Sequence, residues 1–66
     1  MYDRKKIGQR LVKLRGDKSQ EQAAKDLKVT YTSYRKYESG ERIPRDELKI
    51  KIAKYYGKTV QEIFFS

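Results

Sequence analysis

The chain contains no cysteine and no histidine. Without cysteine there is no disulfide to staple the fold and no thiolate to serve as nucleophile or metal ligand. Without histidine the commonest general base near neutral pH is missing as well. Nine carboxylates remain, but they are scattered among lysines as on solvated helix faces, and the four glycines form no phosphate-binding loop. Neither catalysis, nor a metal, nor a cofactor is expected, and no small-molecule pocket can be argued for 66 residues. No apolar run approaches the roughly 18 residues of a membrane span. The basic N-terminus is not followed by a signal-peptide core. A soluble cytoplasmic protein with no membrane role is the expectation.

What the chain has instead is positive charge. Seventeen Lys and Arg stand against nine Asp and Glu, a formal +8 on 66 residues. An excess of this size draws a polyanion, and binding through phosphates is steeply salt-dependent. The length allows one domain, taken as residues 1–66, with a small core.

Apolar and capping residues lay out five helices. Ile7, Leu11 and Leu14 recur at i, i+4 and i+7, with Asp3 as N-cap, Gly16 in the left-handed closing position, and Gln9, Arg10 and Lys13 facing away. Ser19-Gln-Glu-Gln22 has capping-box spacing and opens a second helix to Leu27. Thr30 caps a third, which ends at Ser39-Gly40. Asp46 starts a fourth through Tyr56. Its segment Leu48-Lys-Ile-Lys-Ile52 alternates like a strand, yet Leu48, Ile52, Tyr55 and Tyr56 share a side only as helix. Thr59-Val-Gln-Glu62 is a second capping box and opens a short helix from Val60 to Phe65. The fold class is all-α, a five-helix unit.

The chain is organised around Gln20 to Tyr37. Two short helical patterns there are separated only by Lys28-Val29-Thr30, which must reverse the chain and bury Val29. Helices joined this tightly describe a helix-turn-helix. The second has a polar, basic outer face of Tyr31, Thr32, Ser33, Arg35 and Lys36, suited to the major groove. Thr32 can donate, accept and meet a thymine methyl; Lys36 can donate to guanine O6 and N7; Tyr31 can stack or reach phosphate. Arg35, Arg42 and Arg45 fit backbone contacts, which position a protein without reading sequence. Gln20 can offer its amide and the free N–H groups of a helix start to a phosphate. Tyr34 and Tyr37 read as core. Lys5, Arg10, Lys13 and Lys18 read as general field. Ile50, Phe64 and Phe65 are apolar residues that a lone domain needs least, and they suggest a homodimer surface.

In this arrangement the chain resembles the phage-repressor or Cro-type helix-turn-helix family of small bacterial and phage regulators. The resemblance runs from Leu14-Arg15 through Ser19-Gln-Glu-Gln-Ala-Ala24, Val29-Thr-Tyr-Thr-Ser-Tyr34 and Tyr37-Glu38-Ser39-Gly40, then through Pro44, Ile52-Ala53 and Gly57 to Thr59-Val-Gln-Glu-Ile63. It implies a lambda-repressor-like DNA-binding fold and a transcriptional regulator, expected to be a repressor that binds a pseudo-palindromic operator as a homodimer at the nucleoid. It implies that Tyr31, Thr32 and Lys36 reach base edges and that Gln20, Thr30 and Ser33 meet phosphate. It also implies an internal ion pair between Arg15 and Glu38. The alternative is an antitoxin or accessory factor of the same fold whose main partner is a protein. The chain departs from the family pattern at Lys28, where glycine is usual, at Ala23, where leucine is common, and in a shorter link between Arg15 and Ser19.

Overall fold

Asp3 opens the first helix: its Oδ1 accepts from the backbone N–H groups of Lys5 and Lys6, each at 3.1 Å. That cap satisfies donors that the helix itself cannot. In the computed structural model, which describes residues 3–65, the chain then forms α1 (Arg4–Arg15), α2 (Gln20–Leu27), α3 (Tyr31–Ser39), α4 (Asp46–Tyr55) and a last short helix, α5 (Gln61–Phe65). No strand occurs among the described residues. None of these helices is long and apolar enough to cross a membrane.

The caps follow the sequence with two differences. Thr59 and Glu62 form a reciprocal capping box, the Thr59 N–H donating to Glu62 Oε1 at 3.0 Å and the Glu62 N–H to Thr59 Oγ1 at 3.1 Å. Ser19 makes only half of one. Its Oγ accepts from the Gln22 N–H at 3.0 Å, but the Gln22 amide turns one helical step down to Asp26 Oδ1 at 2.7 Å. That bond is charge-assisted and lies one turn along the same helix face. The second difference lies in α5, which begins at Gln61 rather than Val60 and is wound as a wide π-type turn.

Turn geometry shows where glycine was needed and where it is absent. Gly40 closes α3 in the left-handed conformation, at φ 84°. Gly16 closes α1 at φ 59° but ψ −129°, outside the left-handed helical region expected for it. Lys28 does occupy that region, at φ 59° and ψ 42°, and is the one non-glycine residue with positive φ among those described. A Cβ there crowds the following carbonyl, and the strain is offset by the tight turn it permits. The backbone N–H groups of Lys28 and Val29 both find carbonyls in α2.

The period-two run in α4 is helical. Ile52 is fully buried and Ala53 nearly so, while Ile50 points outward. Tyr56 caps α4 rather than belonging to it. The core gathers Ile7 and Leu11 from α1, Ala23, Ala24 and Leu27 from α2, Tyr34 and Tyr37 from α3, Ile52 from α4, and Ile63 and Phe64 from α5. Phe64 is only 2% exposed. This corrects its placement on a dimer surface: the side chain completes the core of its own chain.

Two further features lay beyond the sequence reading. Gly8 is buried where α1 crosses α3. Arg10, expected to face away, turns towards α5 and donates from Nη1 to the Ile63 carbonyl at 2.8 Å. A helix end leaves such carbonyls without partners, and a long cation on a neighbouring helix can reach one.

Candidate nucleic-acid interface

α3 is held from its inner face by a polar cluster around Glu38. Arg15 donates through Nε to Glu38 Oε2 at 2.7 Å and through Nη2 to Oε1 at 3.2 Å, a two-pronged pair. Gln20 Nε2 donates to Oε1 at 2.8 Å. Arg15 also donates from Nη1 to the Lys18 carbonyl at 2.6 Å, so the short link to α2 is held by the same guanidinium. Glu38 is 8% exposed. Burial pushes its carboxyl up, but the bonds from Arg15, then Gln20 and Tyr34, outweigh burial and leave it below the usual carboxylate range. The carboxylate therefore joins α1, the start of α2 and the end of α3.

Beneath it, Tyr34 is fully buried and shares a 2.5 Å hydrogen bond with the Tyr56 hydroxyl. Burial foremost, with the bond to Tyr56 next, holds the Tyr34 phenol neutral far above its ordinary range. Tyr37 is also in the core. No buried side-chain nitrogen or oxygen among the described residues lacks a partner, so the inner face of α3 has nothing left to offer a ligand.

The outer face is the opposite. Tyr31 is 46% exposed and Thr32 and Arg35 are exposed. Lys36 is half-buried. Neither Thr32 nor Lys36 commits its side chain to any hydrogen bond or ion pair. Arg35 lies 6.0 Å from the Tyr31 ring centroid, a cation–π distance that leaves its N–H fork open. Thr30 accepts the Ser33 N–H at 3.1 Å and donates its own hydroxyl to Ser33 Oγ at 2.9 Å. These two hydroxyls thus shape the start of α3 before anything binds there. Arg42 and Arg45, on the connection to α4, are exposed.

One expected phosphate contact, Gln20, and one residue expected only as general field, Lys18, are differently placed. The Gln20 residue is half-buried and one of its amide hydrogens is already donated to Glu38; what it can still offer a phosphate is its second amide hydrogen and the backbone N–H groups of the α2 start. Lys18 is not part of a diffuse field. Its Nζ donates to the Tyr55 hydroxyl at 2.7 Å, and Tyr55 in turn donates to Asp26 Oδ2 at 2.5 Å. That chain ties the α1–α2 link, α2 and α4 together at the surface. The bond from Tyr55, then that from Gln22, holds Asp26 below its ordinary carboxylate range.

α2, the Lys28 turn and α3 form one bihelical unit with a committed inner side and a basic outer side. Residues 9–63 match the family described as Helix-turn-helix, which is most of the chain. No curated protein and no solved structure matches it. The geometry and the family match agree: the chain belongs to the Cro-type helix-turn-helix family of DNA-binding proteins.

Proposed function

We propose that the protein is a sequence-specific regulator of transcription, acting as a repressor on a pseudo-palindromic duplex operator in the cytoplasm, at the nucleoid. The observation that carries this reading is the asymmetry of α3. Every polar group on its inner face has a partner in the fold, whereas Thr32 and Lys36 on the outer face have none. Side chains left free on an otherwise committed helix are the ones available to base edges. In this reading Thr32, Lys36 and Tyr31 read the major groove. Thr30, Ser33, Arg35, Arg42, Arg45 and the N–H groups at Gln20 grip the backbone.

One domain covers only half of a palindrome. Two copies about a two-fold axis set their recognition helices about 34 Å apart, one turn of duplex. Ile50 on α4 and Phe65 on α5, each 51% exposed, are the apolar residues offered to a second copy. Repression follows from occupancy, since a dimer seated on a promoter denies that stretch of groove to other proteins.

The test is selection of tight-binding duplexes from a random pool, followed by salt titration with Thr32→Ala and Lys36→Ala. The reading expects one inverted-repeat sequence to be enriched. The Thr32 variant should lose discrimination while its salt dependence stays close to that of the parent. Equal, weak, purely salt-driven binding to every duplex would sink it.

A further inference from the structure

α1 contains six cations in twelve residues and no acid. Three of them, Arg4, Lys5 and Lys6, sit in its first turn, where the helix macrodipole is positive and cations are unfavourable. Asp3 offsets this in part, through its cap on the Lys5 and Lys6 N–H groups. Arg4 and Lys5 are exposed and their side chains form no hydrogen bond or ion pair. No hydrogen bond or ion pair within the fold uses these two charges, which leaves them available to a partner outside it.

Their location supplies one. Gly40, which closes α3, is packed against the start of α1. A Cβ on Gly40 would lie 3.2 Å from the Arg4 carbonyl oxygen and 3.3 Å from Lys5 Cα. Two residues further on, Arg42 is exposed, and its backbone N–H is fastened to the Lys36 carbonyl of α3. The first turn of α1 and the start of the α3–α4 connection therefore stand side by side at the end of the recognition helix. Two acids adjoin these cations in the sequence, Asp3 as the helix cap and Glu41 as acceptor of the Ser39 hydroxyl at 2.8 Å; both keep their charge, and the three cations outnumber them. Lys6 lies about 100° further round α1 than Lys5. It faces the outer groove shared with Gln9, Arg10 and Lys13, away from Gly40.

We propose that Arg4 and Lys5, together with Arg42, form a second anchor for the phosphate backbone, just beyond the end of α3. This rests on the DNA-binding reading above and extends the contact surface from the helix-turn-helix unit to α1. Three cations from two chain segments meet the strand where it leaves the groove. They add affinity without sequence preference and make it strongly dependent on salt. The stability lost to unfavourable charge at the α1 start is recovered on binding.

The experiment measures binding of the full chain to its tightest selected duplex, and to a random-sequence duplex, across a salt series. The variants are Arg4→Gln with Lys5→Gln, and Lys6→Gln alone, each also followed by thermal melting. Two lost phosphate contacts should lower the salt slope by roughly 1.8 and weaken binding several-tens-fold near 0.1 M salt on both duplexes. The same double variant should melt no lower than the parent, because it removes charge that opposes the dipole. Lys6→Gln should leave the slope close to the parent value. An unchanged slope in the double variant overturns the proposal, and so does an equal loss in Lys6→Gln, which would mean a diffuse field. If the parent binds no duplex at all, the DNA reading itself fails, and that outcome is distinct from a parent that binds with the double variant unaltered.

Discussion

Gly8 of α1 and Glu38 of α3 are backbone neighbours: a Cβ at Gly8 would fall 2.1 Å from the Glu38 carbonyl oxygen. No side-chain rotation relieves such a clash, because the atom in the way is main chain. Gly8→Ala should therefore push α1 off α3 and cost at least the ~1–3 kcal/mol typical of overpacking. Chemical denaturation at fixed temperature checks this. A variant as stable as the parent would mean that the helices do not cross so closely.

The same crossing carries the Arg15–Glu38 pair. Arg15→Ala leaves a carboxylate that is 8% exposed without its main partner and should destabilise by about 3–5 kcal/mol. The double change Arg15→Met with Glu38→Gln should recover much of that loss, since it removes the buried charge along with its partner. Denaturation of the parent, Arg15→Ala and the double variant side by side checks the loss and its recovery; a double variant no more stable than Arg15→Ala would contradict the buried-charge argument.

Because Glu38 is held below the usual carboxylate range in the fold, its ionised form stabilises the native state. The contribution is complete above the unfolded pKa of about 4.3. It is lost as pH falls through the lower, folded value. Stability measured from pH 6 downward should drop on this acid side, and Glu38→Gln should flatten that part of the curve. An unaltered acid limb in Glu38→Gln would contradict the assignment.

Lys28 in the left-handed region is a correctable strain. Lys28→Gly removes the steric cost of about 1–2 kcal/mol, less roughly 0.5–1 kcal/mol of extra chain entropy, and should raise stability slightly. Thermal melting reads the shift, and a fall in the melting temperature would contradict it.

The dimer proposal separates adjacent phenylalanines. Phe65→Glu and Ile50→Glu should yield folded monomers, seen by sedimentation, with operator affinity reduced. Phe64→Ala should instead unfold the protein, because it empties a core position at a cost of about 3–5 kcal/mol. A parent that sediments as a monomer at every concentration would remove the dimer from the account.

The elements themselves were legible because their signals are local. Asp3, Ser19, Thr30 and Thr59 each accept the N–H of a residue two or three positions on, a relation written in spacing alone. Long-range placements were not. Gly8 carries no signal in the sequence, since the carbonyl that it admits is thirty residues away. Arg10 and Lys18 looked like surface charge, because the Ile63 carbonyl and the Tyr55 hydroxyl that claim them come from the far end of the chain. Gln20 was picked out for phosphate without sight of Glu38, which engages its amide first. For the last helix the ordinary helical count puts Val60, Ile63 and Phe64 on the inner face and Phe65 elsewhere, and burial agrees for Ile63, Phe64 and Phe65. What the count does not show is that Phe64 is used up by its own core and is lost to a dimer surface.

That wide last turn has a consequence for how the molecule breathes. Five residues, fastened by Arg10 and by the Thr59–Glu62 cap, form a smaller unit than any other helix, and small units open without global unfolding. Amide hydrogens of Gln61–Phe65 should exchange with solvent well before those of α1 and α3. Each such excursion would lift Ile63 and Phe64 out of the core and present them beside Phe65 as a continuous greasy face. A second copy that captures or reseals this face would slow the excursion, so dimerisation should register as protection of the last turn from exchange, long before it alters the melting of the whole.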